Sequence, residues 1–384
     1  MGYKTTLCDV SLDGGHYGIA APAVDFKPEL PAYLRITDIN DDGTLNSSDR
    51  KSVDDPSAGN YLLHEGDIVF ARTGNSTGRN YYYDPRDGEY AYAGFLIKFS
   101  LDPRKINPRY MKYYAQSKQY WDWVSSFNTG STRGNINAKT YASMPIDLPS
   151  RQIQDGIVAI CNAIDDKIRI NRQLNDYLLE LATVRFEQEL VKESKTYRFS
   201  ELIELEDSKR VPLNSRDRKV RKGSYPYYGA TSIMDYVDDY LFDGIRVLLG
   251  EDGTVIREDG KPVLQYVWDK YWVNNHAHIL KSKADYSLEA IYIALARTTI
   301  NHIVTGAVQM KISQKNLNDL ELEMPTASSL DYLEDIFALY RSKAEESKKL
   351  GILRDALLPK LMSGEIDASK VDLTQLTNNH LTVR

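Results

Sequence analysis

The chain repeats itself. Shifted by 176 positions (129 to 305) and without a gap, Thr129-Gly130 falls on Thr305-Gly306, Asn135-Ile136-Asn137 on Lys311-Ile312-Ser313, and Pro149 on Pro325. In both copies the proline opens a long stretch with helical periodicity. Ahead of each stretch lies a large tyrosine-rich segment, and these two segments do not resemble each other closely. The order variable module, helix, variable module, helix gives near-twofold symmetry within one polypeptide. Its natural target is itself two-sided, and double-stranded DNA is the leading candidate.

Residues 1–148 read as a mixed, strand-rich module. Leu62–Arg72 looks like a turn into a buried strand, Tyr90–Phe99 alternates like another, and Pro108–Val124 has helical spacing. Ser125–Asn137 is rich in Gly, Ser, Thr and Asn and reads as a loop. The first long helix covers 149–194. Ile153, Ile157, Ile160, Ile164 and Ile168 recur by threes and fours, and Leu174, Leu178 and Leu181 continue the stripe after a polar break at Asn171. Such a helix is about 60 Å long at 1.5 Å per residue. A stripe this narrow predicts a coiled-coil seam rather than a face docked on a globular core.

Residues 195–324 repeat the plan, with Asp243-Gly244-Ile245-Arg246-Val247 standing where Gly66-Asp67-Ile68-Val69-Phe70 stood. A second helix follows over 325–366, strongest over 329–361. Each helix lacks an obvious partner except the other, so an antiparallel pair is expected, with a module at each end. The tail, 367–384, has weak periodicity and is expected to be flexible. The fold class is α+β: two mixed, strand-rich globular domains separated by two long antiparallel coiled-coil helices, pseudo-twofold.

At 384 residues the chain is long enough for two sizeable cores, and its 42% hydrophobic and 27% charged residues are ordinary for a globular protein. No run approaches the ~18 apolar residues of a membrane helix, and Met1–Val10 lacks the apolar core of a signal peptide. Cys8 and Cys161 form no metal-type spacing and no disulfide framework. A reduced, cytoplasmic protein is expected. The net charge of −6 argues mildly against nucleic acid, yet local clustering matters more than the total. Asp38, Asp41, Asp42, Asp49, Asp54 and Asp55 read as solvated loops. Lys209, Arg210, Arg216, Arg218, Lys219, Arg221 and Lys222 gather in one segment opposed only by Asp217, which suits a binding run or a solvated loop about equally.

The loop Arg72-Thr73-Gly74-Asn75-Ser76-Thr77-Gly78-Arg79 has glycines that allow close backbone approach, and hydroxyls, amides and arginines that can bond phosphates or base edges. It lacks the Gly-Lys-Ser/Thr ending of a P-loop. A plain hydrogen-bonded turn fits equally well. Asn128–Asn135 has the same chemistry, including Arg133. Its counterpart Val304–Ile312 keeps Gly306, Gln309 and Lys311, and both lie just ahead of the helix-opening proline. There a structural junction role for the glycine is expected, with base or phosphate contact in addition. In the second module Ser224–Thr231 interleaves tyrosines with small residues directly after the basic run, as a nucleic-acid groove does and as half-buried strand edges also do.

Catalytic candidates are thin. Glu251, Asp252 and Asp259 fall in a glycine-rich hairpin, Gly250–Lys261, that reads as a solvated turn. His276 and His278 lie on one face of a strand as a possible metal pair without a third ligand. Satisfied or DNA-facing histidines explain them better, so no metal site is expected. No nucleophile elbow, methyltransferase box, helicase motif or nuclease constellation is present, so no catalytic residue is assigned.

The chain resembles the specificity subunit of Type I restriction–modification systems. The matching stretches are Leu63–Gly74, Gly134–Pro149, Ser224–Ala230, Phe242–Gly253, Trp272–Leu280 and Leu357–Ile366, and their order and duplication are more specific than any one of them. The resemblance implies a non-enzymatic DNA-binding subunit with two target-recognition domains, each reading one half of a split site in the major groove. The helices would act as a ruler and as a dock for methyltransferase subunits, two of them expected, alongside restriction subunits. No cofactor would bind this chain; the partners would use S-adenosylmethionine, ATP and Mg. An alternative is the specificity subunit of a bipartite system whose single partner both methylates and cleaves; a coiled-coil scaffold is a further one. The residues expected at DNA are Arg72, Thr73, Asn75, Arg79, Arg133 and Asn135 in the first module. In the second they are Lys209, Arg210, Arg216, Arg218, Lys219, Tyr228, Asn275 and Lys311.

Overall fold

The computed structural model describes residues 3–46, 49–127, 134–283, 285–306 and 309–370. The chain divides into two compact units: residues 1–169 with 347–384, and residues 170–346. The helical segments therefore do not stand apart as separate domains. Each unit takes a share of both long helices, Arg151–Lys192 and Tyr332–Ser363.

In the first unit one antiparallel sheet runs in the order His16–Tyr17, Leu96–Ser100, Asp67–Ala71, Asn80–Tyr82. A second runs Ala23–Asp25, Lys51–Val53, Ala32–Leu34, Tyr90–Tyr92, its last pair parallel. Tyr3–Thr6 pairs with Pro145–Leu148 and brings the ends of the module together. The central strand Asp67–Ala71 is buried at every position, because both of its faces are covered. Phe70 stacks on Tyr141 at 4.9 Å and meets Phe99 edge-on at 6.1 Å.

Two expected elements are split. Tyr90–Phe99 is not one strand: a turn at Ala93–Leu96, closed by the Leu96 amide on the Ala93 carbonyl (2.8 Å), sends Tyr90–Tyr92 to one sheet and Leu96–Ser100 to the other. The helical stretch Pro108–Val124 becomes Pro108–Tyr114 and Lys118–Ser125, because the Ser117 side chain caps the second piece by accepting from the Tyr120 amide.

The second unit repeats this plan. One sheet runs Ile203–Leu205, Ala277–Ser282, Arg246–Gly250, Leu264–Val267. The other runs Ile233–Val237, Lys222–Tyr228, Lys270–Val273, Phe242–Asp243, and again holds one parallel pair, Lys222–Tyr228 with Lys270–Val273. Ser194–Arg198 pairs with Glu321–Pro325 as Tyr3–Thr6 pairs with Pro145–Leu148.

The long helices are antiparallel: within the second unit Asn171 donates to Glu346 and Asn175 to the Tyr340 carbonyl, both at 3.2 Å, so partners recede along one helix as residues advance along the other. Their apolar faces are wider than a two-helix seam needs. Ile157, Cys161, Leu358 and Leu361 join the core of the first unit, and Leu178, Ala182, Phe186, Leu333 and Phe337 that of the second. The expectation of a seam free of the globular cores is corrected accordingly. Leu181, expected inside, is 47% exposed; steps of four from Leu178 to Ala182 to Phe186 track the face of an ordinary helix better.

The two prolines act differently. Arg151 begins the first helix two residues after Pro149, whereas Pro325 closes a strand and a single turn at Ala327–Ser329 precedes the helix start at Tyr332. The segment expected to be flexible from residue 367 is packed against the fold at its start. Ala368 is buried, and its carbonyl lies so near Gly156 that a Cβ there would come within 2.2 Å. Residues 371–384 lie outside the described residues. Among the described residues no helix is long and apolar enough to cross a membrane.

Candidate nucleic-acid interface

In the first unit the central strand Asp67–Ala71 runs into Arg72, where two stretches distant in sequence meet. The Arg72 amide donates to the Phe95 carbonyl at 3.0 Å, and its carbonyl accepts from the Ile136 amide at 2.9 Å. Thr73 bridges Asn135, and the Thr77 hydroxyl donates to the Gly134 carbonyl at 2.8 Å. Thus Arg72, Thr73, Asn75 and Asn135, expected at DNA from two separate loops, belong to one rim; Asn75 and Asn135 are exposed on it. Arg133 lies outside the described residues, with 128–132.

The glycines divide by role. Gly74 (φ 74°) has open space where a Cβ would be, which leaves its backbone approachable. Gly78 (φ 90°) is buried, and a Cβ there would lie 2.6 Å from Val124. It serves internal packing.

The arginines divide too. The Arg72 guanidinium lies 5.0 Å from the centre of the Tyr17 ring, its Nε is buried without a hydrogen-bond partner, and no carboxylate pairs with it among the described residues. Arg79 is committed: its Nε donates to Asp41 at 2.6 Å and Nη1 to the Ile39 carbonyl at 3.2 Å. It ties down part of the acidic region expected to be a solvated loop. Asp38 in that region is buried and takes Arg35 through both oxygens, at 2.9 and 2.6 Å.

The second unit reproduces this junction with other side chains. The Glu251 amide donates to the His276 carbonyl at 2.8 Å, and its carbonyl accepts from the Ile312 amide at 3.0 Å. Asp252 bridges Lys311 as Thr73 bridges Asn135. Glu251 thus occupies the place of Arg72, and it is no solvated turn residue. It accepts from Arg210 at 2.6 Å, while Arg210 also donates to the Ala277 carbonyl at 2.7 Å.

Behind this pair sits His278, fully buried, with Nδ1 2.6 Å from Asp207 and Nε2 2.9 Å from the Ile312 carbonyl. Asp207 also accepts from the Ile279 amide and from Gln314. Burial pushes the Asp207 carboxyl up, but these hydrogen bonds outweigh it and hold the group below its usual range. Glu206 likewise lies below its usual range, its burial outweighed by Arg246 and Lys209. Asp207, Glu251 and His278 come close enough to hold a cation. Their ligand atoms, however, are engaged by Arg210, Gln314 and the backbone, and the Arg210 guanidinium supplies the positive charge already. The cluster is an ion-pair network.

The remaining basic residues of the second unit separate into tied and free. Lys209 pairs with Glu206 at 2.6 Å, and Arg218 donates to the Leu213 carbonyl at 2.7 Å while lying over the Tyr227 ring at 5.3 Å. These two and Arg210 serve the fold, contrary to a reading of the whole run as a binding loop. Arg216 and Lys219 are exposed on the short helix Ser215–Val220, with no carboxylate partner among the described residues. Tyr228 is half-buried, edge-on to Tyr271 at 5.8 Å, and burial pushes its hydroxyl up to about 12. Its carbonyl accepts from Asn274, next to the exposed Asn275 at the turn. Lys311 is 54% exposed, its Nζ 3.6 Å from Glu251.

Two residues on the first rim escape sequence reasoning. Tyr17, 42% exposed, carries Arg72 on its ring and accepts from the Ala138 amide. Phe95, 58% exposed, sits at the turn that receives the Arg72 amide. Reading 90–99 as one alternating strand hides Phe95; Gly94 just before it is the signal of a turn.

The family model described as Type I restriction modification DNA specificity domain matches twice, over residues 33–180 and 191–344. A putative type I restriction enzyme specificity subunit of Haemophilus influenzae is 30% identical over 128 residues, 33% of this chain and 32% of that protein. A second type I specificity subunit from the same organism aligns over 36% of its length, so the chain spans about a third of each of these relatives. The MjaIX specificity subunit of Methanocaldococcus jannaschii is 19% identical over 67% of this chain and 68% of its own length. The crystal structure of a Type I restriction–modification S subunit from M. genitalium has the same fold, with a TM-score of 0.50 at 16% identity, covering 94% of this chain and 96% of that one.

Proposed function

Because the chain belongs to the family of Type I restriction–modification DNA specificity domains, we propose that it reads a split, asymmetric double-stranded DNA site, one half with each unit. The observation that carries this reading is the duplicated junction. In both units a buried central strand delivers the residue that follows it to a rim formed with the segment ahead of the Pro149 or Pro325 junction, on the same two backbone hydrogen bonds. Phosphate contacts set register and base-edge contacts give specificity. In the first unit Arg72 is the base reader, because among the described residues its guanidinium has no carboxylate to satisfy it, and it is held on an aromatic face. Thr73, Asn75 and Asn135 flank it. In the second unit the exposed Arg216, Lys219 and Asn275 remain free to reach DNA, and Lys311 joins them, its ion pair with Glu251 being long at 3.6 Å and its side chain 54% exposed. Since the side chains at the two rims differ, the half-sites differ.

The chain supplies address rather than chemistry. Methyltransferase subunits dock on the helices, where Ile170, Tyr177, Leu181 and Val184 form an exposed apolar line at seven- and three- or four-residue spacing. Those partners carry S-adenosylmethionine, and restriction subunits use ATP and Mg. The test is a map of methylated adenines in the host genome with the gene intact and deleted. A split motif of two unequal halves should lose methylation on deletion. An unchanged map, with the partner genes expressed, contradicts the reading.

A further inference from the structure

Lone exposed apolar residues are ordinary on protein surfaces, so what marks Phe95 is its setting. The Gly94 amide donates to the Ile19 carbonyl at 2.8 Å, the Leu96 amide to Ala93 at 2.8 Å, and the Phe95 carbonyl accepts from Arg72 at 3.0 Å. The backbone is pinned on three sides while the ring stands 58% exposed. A Gly-Asn or Gly-Ser turn would serve the fold as well and suit water better. The ring is presented from the same rim as Arg72, whose guanidinium lies over Tyr17 and has no carboxylate partner among the described residues. A rigid aromatic loses little conformational freedom when it makes a contact.

We propose that Phe95 is a specificity-determining residue that reads a thymine through its C5-methyl group in the major groove. This rests on the DNA-reading function above and adds the chemistry of one base position. A phenyl ring offers no hydrogen bond, so the base feature it can distinguish in that groove is the thymine methyl. The second unit supports the assignment by contrast. There the turn residue whose carbonyl receives the central strand is His276, a polar group 3.6 Å from Asp252. The methyl contact therefore belongs to one half-site only.

The experiment uses the complex of the full chain with its methyltransferase partner, on duplexes in which single thymines are replaced by deoxyuridine, which removes the methyl and keeps the pairing. In the half-site whose reading depends on Arg72, one such replacement should weaken the wild-type complex about fourfold, the worth of one buried methyl. It should leave Phe95→Ala unchanged, and Phe95→Leu should keep part of the sensitivity. Replacements in the other half should affect all three proteins alike. An exposed side chain makes Phe95→Ala neutral to folding, and an unchanged melting temperature confirms this.

The proposal is overturned if Phe95→Ala stays as sensitive as wild type at every thymine, or if no replacement in that half matters to wild type. It is also overturned if DNA bending rather than the methyl tracks with Phe95, the mark of a wedge between bases. A wild-type complex that binds scrambled duplex as tightly as the split site fails at the DNA-reading function itself, a different result from specific binding indifferent to Phe95.

Discussion

The rims of the two units share a backbone and oppose each other in charge. Just past the central strand the first unit places Arg72, over the Tyr17 ring and without a carboxylate among the described residues; the second places Glu251, locked to Arg210 and backed by Asp207 and His278. The bridge that follows is Thr73 to Asn135 in one and Asp252 to Lys311 in the other. The lesson is that the duplicated scaffold fixes where a residue stands, while its side chain decides whether that position is left open or holds the fold. In the first unit the strand-end residue is spare. In the second it is structural, and under the proposed function reading passes to Arg216, Lys219, Asn275 and Lys311.

The sharpest way to break this comparison is to truncate the two strand-end residues. Glu251→Ala removes the nearer carboxylate of the buried Arg210, leaving it Asp207 at 3.6 Å, and should cost about 3 kcal/mol, lowering the denaturant midpoint of the second unit. Arg72→Ala should leave stability within about 0.5 kcal/mol. Equal losses would dissolve the distinction. The first unit has its own tight point away from the rim: Gly156→Ala pushes a Cβ into the Ala368 carbonyl and should cost about 2 kcal/mol, with earlier proteolysis around residues 367–370. No change in cleavage there would contradict the packing described for that segment.

Acid sharpens the contrast further. The Asp207 carboxyl is held below its usual value of 3.8, so its contribution to stability is complete above that value and is lost as pH falls below it. The first unit has a parallel in Asp165, where the ion pairs with Lys112 and Arg354 overcome burial and also hold the group low. Stability of the whole chain should therefore drop below about pH 4, and Asp207→Asn should flatten the part that belongs to the second unit. A second unit whose acid response is the same with and without Asp207 would remove the network from the account. Smallest of all, Arg79→Ala breaks a pair whose Asp41 side chain is 82% exposed and should cost about 0.5 kcal/mol, with DNA affinity reduced less than by Arg72→Ala.

Much of this architecture is legible in the sequence. The 176-residue shift aligns Asn135 with Lys311 and Ile136 with Ile312, and those residues occupy equivalent bridges in space. The long helices show because their apolar spacing is local. Less legible is whatever depends on pairing between distant strands. Arg72 and Arg79 look alike in a loop of glycines and hydroxyls, and only the fold brings Asp41 to one of them. Glu251 sits in a glycine-rich stretch that reads as solvent-exposed until Arg210, 41 positions earlier, is folded against it. Tyr90–Phe99 has a pattern suited to a strand throughout, and the Ala93–Leu96 turn exists because two sheets compete for its halves.

The claim that each unit reads its own half of one site is tested most directly by selection. A randomised DNA library would be methylated by complexes carrying the wild-type chain, Arg72→Ala and Lys311→Ala, and the methylated sequences compared. Each variant should lose base preference in one half of the split motif, and the two should lose it in different halves. Loss in the same half, or an unchanged motif in both, would contradict a reader built from two independent units.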